Sequence, residues 1–182
     1  MTLQAANLLY RHPELYDEVS RPDVETVLEL TEVSSRRPVN SVLDVGCGTG
    51  SLLASLPASF HDRAGIDVQA DMVKHARSVH PDLDIRVGDV RDLRIGRTFD
   101  VIICVGLVLA YLSTEEELRA AFSSVAAHAH SDTVFVLHTL TQPVLDTRTT
   151  SRSMMLHGRG AEVHTRYEWM APSLVMHRRW EF

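Results

Sequence analysis

The segment Val42-Leu43-Asp44-Val45-Gly46-Cys47-Gly48-Thr49-Gly50 joins a short β-branched run to three glycines spaced two apart. Glycines in this pattern let a strand turn sharply into a helix and let a ligand approach the backbone, with the amides of the helix N-terminus aimed at it. A dinucleotide fingerprint would want its third glycine at position 51; Ser51 stands there, and the third glycine comes one step early. Ala64-Gly65-Ile66-Asp67 then ends a second apolar run in a carboxylate 21 positions beyond Gly46. An acid there can accept both hydroxyls of a ribose. Val87-Gly88-Asp89-Val90 puts another acid just past the next run, able to accept from an exocyclic amine such as that of adenine. Taken singly, Asp67 or Asp89 reads equally well as a helix cap or a solvated loop acid. Three such features at successive strand ends read together as one site.

Those residues need a scaffold that brings strand ends together. Ser41 to Val45, Ala64 to Asp67, Leu83 to Val87, Phe99 to Val105 and Thr133 to Leu140 have strand character, the fourth being apolar throughout after Asp100. Helical spacing separates them. Val24, Val27, Leu28 and Val33 lie between Pro22-Asp23 and Pro38, and a brief helix spans Ser51 to Leu56. Met72, Val73, Ala76 and Val79 share a helix face before Pro81, and Ser113-Thr114-Glu115-Glu116 reads as a capping box for a helix to about His130. Alternating strands and helices predict an α/β fold, a doubly wound and mostly parallel sheet of five strands whose ligands sit at the strand carboxyl ends.

At 182 residues, 45% of them hydrophobic, the chain is sized for a substantial core, with roughly 70% of its surface buried on folding. The net charge of −6 argues against a nucleic-acid-binding module. Only Cys47 and Cys104 occur, neither with a metal-ligand partner in sequence, and this suits a reducing cytoplasm. The ten histidines are scattered and show no zinc spacing. The N-terminus lacks signal-peptide character, and the longest apolar run, Val101 to Leu112, is about 12 residues against the ~20 a membrane span needs.

In order, DVGCGTG, GIDVQADM, GDVRDL and FDVIICVG resemble the motif series of the class I S-adenosylmethionine-dependent methyltransferases, over about Val39 to Leu140. The resemblance implies a Rossmann-like fold, S-adenosyl-L-methionine as cofactor and S-adenosyl-L-homocysteine as product. The methionine end then falls to Gly46, Cys47, Gly48 and Gly50 with Asp44 toward the amino group, and the ribose to Asp67. Val68 and Met72 pack on the adenine, Asp89 and Val90 hold its edge, and Cys104 with Val105 closes the pocket. Leu15-Tyr16-Asp17, Ala110-Tyr111-Leu112 and a β-like tail are similar to small-molecule N-methyltransferases, including those that dimethylate amino sugars. On this basis residues 1–150 form the cofactor domain with an N-terminal helical lid, and 151–182 an antiparallel addition acting as a substrate cap.

In that tail Val163, Thr165, Tyr167 and Trp169 alternate with His164, Arg166 and Glu168, Ala171-Pro172-Ser173 reads as a turn, and Leu174, Met176, Trp180 and Phe182 resume the period. A face carrying His164, Arg166, His177 and Arg179 would shape a substrate pocket; the same hairpin reads also as a plain cap on the core. The family normally adds a further helix and two closing strands, which this sequence lacks. The expectation is a fragment or a differently completed sheet, its open edge covered by the hairpin or by a second copy in a homo-oligomer.

The expected reaction is methyl transfer to an amine or hydroxyl of a small molecule, with no nucleic-acid or membrane partner. His138 is the candidate base at the end of the fifth strand, with Tyr111 and Tyr16 as candidate catalytic contacts. A hydrogen-bonded core histidine and packing tyrosines are the plainer readings. A non-catalytic cofactor-binding module remains the alternative, and a nicotinamide dehydrogenase is disfavoured by Ser51.

Overall fold

The computed structural model describes residues 8–139, 149–156, 158–170 and 173–181. Leu140 at the expected end of the fifth strand, Ala171 and Pro172 of the expected turn, and Phe182 lie outside the described residues. The chain divides into two compact units, Met1–Thr139 and Leu140–Phe182.

The first unit is built on β1 (Ser41–Val45), β2 (Asp62–Asp67), β3 (Asp84–Val87), β4 (Phe99–Cys104) and β5 (Ala129–Leu137). All neighbours are parallel, in the order β3-β2-β1-β4-β5. The order reverses between β1 and β4, where open α/β sheets form a crevice at the strand carboxyl ends. Helices α1 (Pro13–Val19) and α2 (Val24–Ser34) precede β1, α3 (Ser51–Ser55), α4 (Ala70–Val79) and α5 (Glu115–Ala126) follow β1, β2 and β4, and a 3-10 turn joins β3 to β4. Successive β1 residues fill opposite core layers: Val42 packs with Leu53, Val73 and Ile103, and Leu43 with Leu93, Phe99 and Ile102. Burial on both faces is why these strands read as nearly unbroken apolar runs.

Several boundaries differ from the sequence expectation for local reasons. Leu15, Tyr16 and Asp17 belong to α1, a helix with Pro13 in its first turn, where the missing amide costs nothing. The α5 cap is one residue later than expected. Thr114 accepts from the Glu117 amide at 3.2 Å, and the Glu117 carboxylate reaches back to the Ser113 amide at 2.7 Å. The helix stops at Ala126 rather than near His130. His128 bonds the Ser124 carbonyl through Nδ1 at 2.8 Å and accepts the Ile95 amide at Nε2 at 2.9 Å, so its ring terminates the helix and ties it to the segment entering β4. β5 accordingly starts at Ala129, with a register irregularity against β4 between Phe99 and Val101, and ends at Leu137. Val33 and Val79 fall off their apolar stripes, 74% and 48% exposed.

The second unit is a separate antiparallel sheet of three strands rather than a two-stranded hairpin: β6 (Thr150–Leu156), β7 (Arg159–Met170) and β8 (Ser173–Glu181). Its register sets His164 opposite Arg179 and Arg166 opposite His177. Among the described residues β5 pairs only with β4, and no helix is long and apolar enough to cross a membrane.

Gly65 shows how tightly the sheet centre is filled. A β-carbon there would lie 2.8 Å from Cys47 Sγ and 2.9 Å from both Cys47 Cβ and Leu53 Cδ1. Gly65→Ala should therefore lower the unfolding free energy by about 1–3 kcal/mol, the usual range for overpacking. Urea denaturation checks this; an unchanged midpoint would mean the loop yields freely.

Candidate functional site

At the carboxyl ends of β1 to β4 lies a cavity of about 280 Å³ lined entirely by residues of the first unit. Its floor is the glycine turn. Gly46, Gly48 and Gly50 have φ of +80°, +54° and +75°, left-handed values that β-carbons resist. A β-carbon on Gly46 would sit 2.3 Å from Val108 Cγ2, so the turn is pressed against the 3-10 turn Val108–Tyr111. Gly48 faces the cavity, and its amide donates to Asp67 Oδ2 at 2.9 Å. The Gln69 amide donates to the other oxygen at 2.8 Å. Two backbone dipoles thus fix the Asp67 carboxylate at the tip of β2, and each oxygen keeps a lone pair for a further donor. Burial raises the Asp67 pKa, opposed by the Gln69 and Gly48 bonds.

Asp44 sits one residue below the cavity wall and is 2% exposed. Among the described residues no hydrogen bond reaches its carboxylate; burial, reinforced by the charge of Asp67, pushes its pKa up to about 7. A buried acid without a donor beneath a ligand cavity is a site prepared for a cation. Asp89, just past β3, accepts its own turn's Arg91 amide at 2.9 Å, and the Arg91 guanidinium bonds both its oxygens.

Of the residues singled out from sequence, Tyr16, Gly46, Gly48, Asp67, Val68, Met72, Asp89, Val90, Val105 and Tyr111 line this one cavity. Cys47, Gly50, Cys104 and His138 are not among its lining residues. The Cys47 side chain points into the core, a position set by its contact with Gly65, and the Cys104 side chain, at the end of β4, is fully buried. Burial raises both thiols, Cys104 to about 12, and neither is a nucleophile at neutral pH. Gly50 packs toward Ile85 as the N-cap of α3. His138 lies beyond the end of β5, exposed, with its backbone amide on the Cys104 carbonyl, and its ring is not part of the cavity lining.

The sequence reading passed over several lining residues. Tyr10 shares a 2.7 Å hydroxyl bond with Tyr111, and its ring centroid is 6.1 Å from that of Tyr16. Burial raises the Tyr16 pKa, so its hydroxyl stays protonated. Asp17, next to Tyr16, accepts from Thr49 of the glycine turn and from His75 of α4 at 3.2 Å. This staple docks α1 so that Tyr16 Cε1 lies 3.7 Å from where a Gly48 β-carbon would be. Arg91, Ser113 and Glu117 also line the cavity, Arg91 bridging Asp89 to Glu117. The quoted GDVRDL string contained Arg91; nothing local in the sequence marks Tyr10 or Glu117.

Residues 42–132 match the model of the family described as "Methyltransferase domain". The chain belongs to this family, that of the S-adenosylmethionine-dependent methyltransferases. It is 42% identical over 106 residues to a dTDP-3-amino-3,4,6-trideoxy-alpha-D-glucopyranose N,N-dimethyltransferase of Streptomyces venezuelae, a match covering 58% of this chain and 45% of the relative. The chain thus spans under half the length of that curated relative. Among solved structures it resembles Streptomyces venezuelae DesVI, with a TM-score of 0.75, 25% identity, and coverage of 98% of this chain and 80% of the other. It also shares the fold of the S-adenosylmethionine-bound amino pentose methyltransferase CalS10 of Micromonospora echinaspora, with a TM-score of 0.74, 23% identity, and coverage of 100% and 81%. The glycine turn, the donor-held Asp67 and the unpartnered Asp44 fit that cofactor's methionine ammonium and ribose.

Asp44 generates a pH dependence. Its acid is raised when folded, so between its ordinary value near 4 and about 7 the folded chain holds a proton that the unfolded chain has lost. The associated stability is present at low pH and disappears as pH rises through 7. From pH 5.5 to 8 the ligand-free protein should lose on the order of 1–2 kcal/mol of unfolding free energy through this group. Asp44→Asn should flatten that slope. Parallel urea titrations of the two proteins test it, and identical pH slopes would show that Asp44 ionises normally.

Proposed function

We propose that this chain transfers methyl groups from S-adenosylmethionine to the amine of a small molecule, an amino sugar carried on a nucleotide. The observation that carries the reading is the convergence of Gly46, Gly48, Asp67 and Asp89 on one cavity at the switch point of a parallel sheet. The names of the amino-sugar methyltransferases it resembles support the substrate class.

The bound cofactor supplies a methyl group already activated on a sulfonium, so the chain's work is alignment and exclusion of water. Asp44 would hold the methionine ammonium, Asp67 the ribose hydroxyls, Val68 and Met72 the adenine faces, and Asp89 with Val90 its edge. Tyr16 and Tyr111 would orient the acceptor amine, which must be neutral to attack; burial raises the Tyr16 pKa, so its hydroxyl serves as a hydrogen-bond partner rather than a base. His138 has no part in this arrangement. The net charge of −6 supports a small acceptor over a nucleic acid. The outer edge of β5 suits a second copy of the chain, which light scattering would register as a dimer.

In the second unit, Glu168 pairs with His177 at 3.2 Å and Glu181 with Arg179 at 2.5 Å, while Arg166 makes no ion pair among the described residues. A guanidinium without an ion pair can take an anion such as a phosphate.

Incubation with S-adenosylmethionine and a dTDP-linked amino deoxysugar should give S-adenosylhomocysteine and the mono- then dimethylated sugar by mass spectrometry. Cofactor binding without turnover of any amine would favour the non-catalytic binding module instead.

A further inference from the structure

The wall between β3 and α5 holds a charge arrangement that cofactor binding alone does not require. Asp89 caps the 3-10 turn Val90–Asp92 through Oδ1, on the Arg91 amide at 2.9 Å. The Arg91 side chain folds back onto the same carboxylate, Nε to Oδ1 at 2.9 Å and Nη2 to Oδ2 at 2.5 Å. Its remaining arm, Nη1, donates to Glu117 Oε1, while Glu117 Oε2 accepts the Ser113 amide at 2.7 Å. Asp89, Arg91, Ser113 and Glu117 all line the cavity. One guanidinium therefore ties the acid after β3 to the first turn of α5.

The consequence is geometric. A carboxylate on a short side chain rotates about two bonds, and an acid at a strand tip meets a ligand in many orientations. Two parallel N–H bonds from a planar fork fix its plane as a single bond cannot. With Oδ1 taken by the Arg91 amide and Nε, and Oδ2 by Nη2, the one lone pair left on Oδ2 has a set direction. The bonds to Arg91 also hold the Asp89 carboxyl below the usual carboxylate range, so it stays ionised and accepts only.

We propose that Arg91 is the positioning residue for cofactor-edge recognition: by clamping Asp89 and anchoring to Glu117, it makes the site discriminate an exocyclic amine from a carbonyl at that edge of the base. A carbonyl there would set oxygen against a fixed, ionised oxygen. The inference rests on the proposed cofactor site. It adds that selectivity for the amine resides in the Arg91 clamp rather than in Asp89 alone.

The test is calorimetric binding of S-adenosylhomocysteine and of its deaminated analogue, S-inosylhomocysteine, to the full chain. The unaltered protein should prefer the adenosyl form about a hundredfold, the scale of losing one hydrogen bond to a charged acceptor that is left facing another oxygen. Arg91→Met, which keeps the aliphatic stem, should cut that preference below about fivefold, and Arg91→Lys, which keeps charge but not the fork, should recover only part of it. Arg94→Met, just past the same turn but ion-paired to Asp92 and outside the cavity lining, should keep the full preference. Thermal melts establish that each variant is folded. Should the unaltered protein bind neither ligand, the proposed cofactor site itself falls. If it binds both equally, or if Arg91→Met or Arg91→Lys retains the full preference, the site stands and the clamp is only structural.

Discussion

The site depends on holding two carboxylates close together where water is largely excluded. Asp44 and Asp67 stand at the ends of paired strands; burial disfavours the charge of each, and Asp67 adds to the cost of ionising Asp44. Like charges in such a place are tolerated only when donors compensate them. Asp67 has two, the amides of Gly48 and Gln69; Asp44 has none among the described residues and carries its proton up to about pH 7 instead. The difference assigns them different work. Asp67 is fixed and ionised more readily, suited to accepting hydroxyls, whereas Asp44 becomes fully charged when a cation arrives to pair with it.

The glycine turn follows from that need. To deliver its amide to Asp67, residue 48 must take a left-handed conformation, and the neighbouring turn residues Gly46 and Gly50 do so as well. The Gly46 and Cys47 amides both bond the Ile66 carbonyl, at 2.8 and 2.9 Å, so the turn is laid against β2 just before Asp67. This closeness drives Cys47 inward onto Gly65. The cysteine in the motif is therefore a packing residue, and the ligand-facing parts of the turn are its backbone and its glycines.

The strand-end acids were legible in the sequence because their signals are local: a β-branched run, a glycine, then a carboxylate. The parallel, doubly wound character of the sheet followed from the same alternation of elements. What was not legible depends on pairs distant in the chain. Tyr10 meets Tyr111 across 101 residues and Arg91 meets Glu117 across 26, and neither pairing leaves a periodic trace. The C-terminus of α5 was misplaced for a similar reason. Ala126-Ala127-His128 continues helical spacing acceptably, but the bonds from the His128 ring to Ser124 and Ile95, the latter 33 residues away, favour stopping there. His138 does stand at the tip of β5, one residue past Leu137, but it is exposed and outside the cavity lining, which depends on where the neighbouring loops fall rather than on the strand itself.

With His138 off the cavity and both thiols raised, the polar groups around the proposed acceptor position are chiefly the hydroxyls of Tyr10, Tyr16 and Tyr111. Their arrangement answers a physical need of amine methylation. The attacking nitrogen must arrive neutral and lose its proton after transfer, a demand that solvent or buffer can meet; a strongly basic side chain is not essential. What cannot be delegated is orientation, and rigid aromatic side chains carrying one polar tip supply it at low entropic cost. The Tyr10–Tyr111 bond and the Asp17 staple that seats Tyr16 both join α1 and its approach to the strand-end loops. These contacts seat the Tyr16 ring against the glycine turn, so the aromatic wall of the cavity is placed by the same elements that place its carboxylates.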